Sequence, residues 1–129
     1  LNTAYVQANY AVNLASRLRS HQWYVAFEDC ALEYLLSHVE TPTALSQYLS
    51  PVPQFLRRYD QDHGSQYCAT LKSFLQNERS IPKTAAALIV HRTTLLYRLE
   101  KIVSLTKIDL DNEGVRLYLL LSFRLSEEL

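Results

Sequence analysis

An all-α fold, a bundle of five or more helices, is predicted by three features of this 129-residue chain. Only 2 residues are glycine, and Asn-Gly and Asp-Gly, the dipeptides that close tight hairpins, are absent. Leucine and alanine are abundant. Apolar residues recur three and four positions apart, the period of a helix with one buried face. With 48% apolar residues, the chain has enough material for a core of its own and should fold rather than stay disordered.

From the amino end, Tyr5, Ala8, Val12, Ala15 and Leu18 share one face of a helix over roughly residues 3–19, with Asn2 or Thr3 as its cap. "WYVAF" at 23–27 is short and rich in β-formers. It is either one lone strand near the amino end or the apolar lead-in to the next helix. As a strand it belongs to a sheet mostly missing from this segment, or one that another chain supplies. Cys30, Leu32, Leu35, Leu36 and Val39 then mark a helix over about 29–39, which Pro42 ends.

A short helix near 44–49, the break "SPVP" and a helix near 53–59 follow. "YDQDHGS" reads as a turn pivoting on Gly64, after which Ser65 caps a helix ending near residue 77. That helix buries Tyr67, Cys68, Leu71, Phe74 and Leu75. Ser80 caps a short helix over 82–88, with Pro82 in its first turn. "IVH" turns the chain into a helix over about 92–105. "TKIDLDNEG" separates it from a last helix, about 112–127, whose stripe is Val115, Leu119, Leu120 and Phe123.

The formal net charge is +0, yet it is unevenly distributed. Residues 72–107 hold seven basic side chains against Glu78 and Glu100, an excess of five positive charges that the rest of the chain cancels. A neutral total therefore hides a basic region, which is either a nucleic-acid face or an unevenly charged solvated surface. Cys30 and Cys68 match no metal or redox spacing and sit among apolar neighbours, as expected in a reducing, cytoplasmic compartment. No run of eighteen apolar residues spans a membrane, and no signal peptide is visible. The absence of an initial methionine suggests a piece of a longer chain.

The helices over 82–88 and 92–105 have the proportions of a helix-turn-helix. Ala85, Ala86 and Ala87 suit a close crossing, with Ala86 as the position that a bulky side chain would wedge apart. Val90 and Leu95 close the small core between the helices. Stepping about 100° per residue from Arg92 puts Leu95, Leu99, Ile102 and Val103 on one side. Thr93, Thr94, Tyr97 and Lys101 fall on the other, with Arg98 at the flank. Those residue types suit nucleic acid. Arg and Lys pair with guanine or phosphate, Thr offers a hydroxyl or methyl, and Tyr bonds phosphate.

"TAAALIVHRTTLLYRLEKI" followed by "TKIDLDNEGVRLYLLL" resembles the carboxy-terminal helix-turn-helix of the PucR/CdaR family of bacterial transcription regulators. His91-Arg92, Thr94-Leu95 and Tyr97-Arg98-Leu99 carry the likeness, and "YDQDHGSQYCATLKSFLQNERSI" extends it upstream. "AYVQANYAVNLASRL" and "WYVAFEDCALEYLL" look like the last helix and strand of the GGDEF-like domain that often precedes this one. The resemblance implies residues 1–28 as the tail of that domain and 29–129 as a helical DNA-binding domain with a Fis-like helix-turn-helix at about 82–105. Thr93 stands where the family usually has Asn, and Leu96 where it often has a polar or basic residue. Ile89 replaces the glycine found in Fis-type turns.

The resemblance implies that Arg92 and Thr94 approach base edges or phosphate. Arg98 contacts phosphate or pairs with an acid of the last helix such as Glu113. Tyr97 packs with partial exposure or touches DNA. His91 caps the recognition helix, bonds across the turn, or contacts DNA. Lys83 and Thr84, at the amino end of the preceding helix, are placed for phosphate. Double-stranded DNA and a homo-oligomer are the implied partners, with any effector bound by upstream domains. The alternative is a helical interaction or oligomerisation module that has lost DNA binding, which Thr93 and Leu96 keep open. Asp60, Asp62 and His63 lack a second ligand cluster, so no metal or cofactor is expected. No nucleophile–base constellation or phosphate-cradling glycine loop points to an enzyme.

Overall fold

The computed structural model describes residues 47–128. They fold as five helices: α1 (Val52–His63), α2 (Tyr67–Gln76), α3 (Ile81–Leu88), α4 (Arg92–Thr106) and α5 (Glu113–Glu128). No strand occurs among the described residues. The helices expected over 3–19 and 29–39, "WYVAF", and the boundary expected between 28 and 29 lie outside them.

Residues 47–49, expected as the end of a short helix, form a turn and a bend instead. Pro51 explains this, because a residue before proline is pushed away from the helical region. The segment is tied to α5 by the Ser50 N–H, which donates to Ser122 Oγ at 2.8 Å. Pro51 then occupies the N-cap of α1, with Pro53 in the first turn.

α1 runs one turn further than expected, through "YDQDH", because Gly64 supplies the stop. Its φ of 65° is left-handed, and its N–H reaches back to Asp60 O at 2.8 Å. That extra turn carries the cap of α2. Asp60 Oδ1 accepts from the Tyr67 N–H at 2.9 Å and Oδ2 from the Cys68 N–H at 2.9 Å. The Ser65 hydroxyl donates to the same carboxylate. Ser65 is thus not the cap expected of it. A carboxylate satisfies two free amides at once and opposes the positive end of the helix, where a hydroxyl satisfies one.

α2 lies at the centre, packing against α1, α3, α4 and α5. Leu56 of α1, Leu71, Phe74 and Leu75 of α2, Leu95, Leu99 and Ile102 of α4, and Leu119 and Phe123 of α5 form one buried core. Tyr67, Cys68, Val115 and Leu120 pack on its margin. Burial pushes the Cys68 thiol up, so it stays protonated at neutral pH beside Pro53 O, 3.6 Å away, as a small hydrophobe. His63 stacks on Tyr59, with ring centroids 3.9 Å apart, and its Nδ1 lies 2.9 Å from Tyr59 O. With Asp60 engaged in capping, Asp60, Asp62 and His63 do not converge. Among the described residues no three His, Cys, Asp or Glu side chains do. Nor is any described helix long and apolar enough to cross a membrane.

Candidate nucleic-acid interface

α3 is set by its ends. Ser80 is its N-cap, accepting from the Lys83 N–H at 3.3 Å, as the sequence predicts. At the other end the Val90 N–H bonds Ala85 O at 3.0 Å and the Ile89 N–H bonds Ala86 O at 3.2 Å. This paired closure places Ile89 in the left-handed region, φ 54° and ψ 50°. A β-branched residue there is strained by about 1–2 kcal/mol, and its side chain, 91% exposed, gains no packing in return. Val90 turns inward onto the core. Ile89→Gly is therefore expected to stabilise the protein by about 1 kcal/mol, seen as a higher urea midpoint at unchanged slope.

The crossing of α3 with α4 is not made by Ala86. Ile81, Ala85 and Leu88 pack on the core and Thr84 is fully buried, whereas Ala86 and Ala87 are exposed. Positions 81, 84, 85 and 88 share one helical face and 86 and 87 fall off it. The three alanines thus contribute one half-buried side chain, and Thr84 takes the place assigned to Ala86. The Thr84 hydroxyl has no hydrogen-bond partner. Ala86→Leu should change stability by less than about 0.5 kcal/mol. Thr84→Val, which removes an unsatisfied buried hydroxyl, should raise it by about 1 kcal/mol. Thermal or urea unfolding of the two variants checks both.

α4 starts at a histidine cap. His91 Nδ1 accepts from the Thr93 N–H at 3.2 Å and lies 2.7 Å from Thr93 Oγ1. From there the helix presents two unlike sides. Leu95, Leu99 and Ile102 are buried. Arg92, Thr93, Leu96, Tyr97, Glu100 and Lys101 are exposed. Val103, expected inside, is 38% exposed. It lies about 70° from the centre of the buried stripe, at its margin.

The expected contact residues distribute as follows. Thr93, Tyr97 and Lys101 are exposed on the outer face, and Arg92 is exposed at its edge, at the start of α4. Lys101 Nζ lies 5.8 Å from the centroid of the Tyr97 ring, so the ammonium rides over an aromatic face that is itself exposed. Thr94 is half-buried beside them. Arg98 is also half-buried and points to α2, its Nη1 donating to Thr70 Oγ1 at 3.4 Å. Lys83 is exposed in the first turn of α3, while Thr84 is withdrawn into the core. Arg79 is engaged with Asp111 at 3.3 Å, an exposed pair of small energetic weight.

Leu96 and Glu100 share this face but escape a reading of the sequence by residue type. Leucines sort inward by default, and an acid counts against a basic face. Angular position identifies both, and for Leu96 the family resemblance does too: they lie about 40° and 80° from Arg92, next to Thr93 at about 100° and Tyr97 at about 140°. The resulting surface, a helix start with Arg92 and Thr93 followed by Leu96, Tyr97, Glu100 and Lys101, spreads donors, acceptors and an apolar group over the exposed half of the helix.

Residues 67–125 match the PucR C-terminal helix-turn-helix domain. The chain is 33% identical over 70 residues to the DNA-binding transcriptional activator AdeR of Bacillus subtilis, covering 54% of this chain and 17% of that protein. It is 30% identical over 102 residues to the carbohydrate diacid regulator of Escherichia coli, covering 79% and 26%. It is 26% identical over 131 aligned positions to the proline-responsive transcriptional activator PutR of Bacillus subtilis, covering 99% and 31%. The chain thus spans less than a third of the length of each of these relatives. All three are named as regulators or transcriptional activators. No solved structure matches the chain.

Proposed function

Residues 67–125 belong to the PucR C-terminal helix-turn-helix family, and from that premise we propose that the chain is the sequence-specific DNA-binding module of a bacterial transcription regulator, with α4 lying in the major groove. The uncovered outer face of α4 carries this reading. The α1–α3 and α5 helices leave Arg92, Thr93, Leu96 and Tyr97 exposed at the amino half of α4, the part of a recognition helix that makes most of its base contacts. Lys83 stands exposed in the first turn of the preceding helix, where its ammonium and the positive end of the helix dipole together attract a backbone phosphate.

On this reading Arg92 and Thr93 touch bases or phosphate, Lys83 positions the module on the backbone, and Tyr97 with Lys101 lines the groove. His91, Thr94 and Arg98 act indirectly, as cap and flanking supports. A recognition helix covered by other helices would favour the interaction-module alternative, and among the described residues none of α1, α2, α3 and α5 covers the outer face of α4. One short helix reads few base pairs, so the working form is a dimer on two half-sites spaced by about one helical turn of DNA. The compartment is then the bacterial cytoplasm, where the DNA lies, and an effector acts through domains upstream. Genomic fragments captured by the full-length protein and sequenced should converge on one repeated motif, and Arg92→Ala should relax the motif at the base pair Arg92 contacts. Fragments without a shared motif would sink the reading.

A further inference from the structure

Glu100 is the one acidic residue of α4, against Arg92, Arg98 and Lys101. It sits on the outer face, exposed, seven positions after Thr93 and four after Leu96. Neither neighbouring cation neutralises it. Arg98 donates to Thr70 on the other side of the helix, and Lys101 lies over the Tyr97 ring. Among the described residues the Glu100 carboxylate has no ion pair or hydrogen bond. In a face meant for a polyanion, such a group is unfavourable unless the duplex offers it a donor.

The major groove offers carboxylates few partners. Thymine presents O4, guanine O6 and N7, all acceptors that repel a carboxylate. Adenine presents the N6 amino group but sets the N7 lone pair beside it, which faces the second carboxylate oxygen. Cytosine presents the N4 amino group with no acceptor on the same base edge. Resting on the DNA-reading role of α4 proposed above, we infer that Glu100 is a base-reading residue that accepts a hydrogen bond from cytosine N4 and rejects the other three bases. The residue works by exclusion as much as by attraction. It lowers affinity for every duplex that lacks cytosine at that step, and so widens the gap between the target and other DNA. About 12 Å of helix rise separates it from Arg92, so the base it reads lies outside the pair that Arg92 contacts.

The test is selection from a randomised duplex library by the full chain, in parallel for wild type, Glu100→Gln and Glu100→Ala. Glu100 is exposed, so the variants should melt as wild type does, which is checked first. Wild type should enrich a motif with one invariant C·G pair in each half-site, whose replacement weakens binding about 10-fold. Glu100→Ala should lose preference at that position alone and bind scrambled duplex about 2- to 5-fold more tightly, through relief of repulsion from phosphates. Glu100→Gln should move the preference to adenine, whose N6 and N7 match an amide. A Glu100→Ala motif identical to wild type at every position overturns the inference and leaves DNA reading by α4 standing. So does a lost position that held adenine, guanine or thymine in wild type. If wild type enriches no motif, the inference and the reading beneath it fall together.

Discussion

Leu95→Ala is expected to destabilise the protein by about 2–5 kcal/mol. Leu95 is completely buried in the first turn of α4, and α4 packs against both α2 and α3. Its removal empties the point where the recognition helix is held against the rest of the domain. The gap cannot close freely, because Leu95 belongs to one buried core built from α1, α2, α4 and α5, whose side chains are already packed. A small domain has about 5–15 kcal/mol of stability in total, so this loss is a large share of it. DNA binding should fall with stability, since the outer face is displayed only while α4 is docked. Val103→Ala is the contrast: the residue is at the surface and its truncation should change stability by under about 1 kcal/mol. Urea midpoints for both variants decide the matter. Equal shifts would mean that the buried stripe of α4 is misplaced.

Arg92→Ala should weaken binding to the selected duplex by about 1–3 kcal/mol and leave binding to scrambled duplex nearly unchanged. Arg92 is exposed at the first position of α4, free to present its fork of donors to guanine O6 and N7. Lys83→Ala should behave differently. A phosphate contact carries no sequence information, so affinity should drop on both duplexes alike and the salt dependence should flatten by about one unit of slope. The measurement is a titration of each variant on both duplexes across a salt series. If Lys83→Ala proves sequence-dependent and Arg92→Ala does not, the two roles are exchanged, and the docking of α4 proposed here is inverted.

These two residues also illustrate what the sequence makes legible. Arg92 and Lys83 stand immediately inside helix starts that local chemistry announces: Ser80 and Pro82 for α3, and His91 after "IV" for α4. Element types between residues 52 and 128 follow from period and caps, and each helix expected there exists. One misplacement arises where two distant segments meet. Asp60 caps α2 from the preceding helix, seven residues before the amide it serves, so the nearer Ser65 looked the better candidate. The end of α1 lies one turn later than expected for a local reason: "YDQDH" is turn-like by composition, but the left-handed stop at Gly64 comes after it.

The site divides along the same line. Sequence by itself determined that this chain is helical between its turns, that residues around 82–105 form a helix-turn-helix, and that one side of the second helix is leucine-rich. Helical period and end-capping are properties of neighbouring residues and need no third dimension. Only the tertiary structure decided which residues the outer face contains. Ala86 and Ala87 lie outside while Thr84 lies inside, because the angle at which α3 meets its neighbours selects one side of a helix whose small residues fit either. Arg98 belongs to α2 through Thr70 rather than to the open face, and Leu96 and Glu100 belong to the open face despite their chemistry. A side chain's type states what it can bind. Where it points depends on the rotation of its helix against the core, and that rotation is set by the packing of all five helices together.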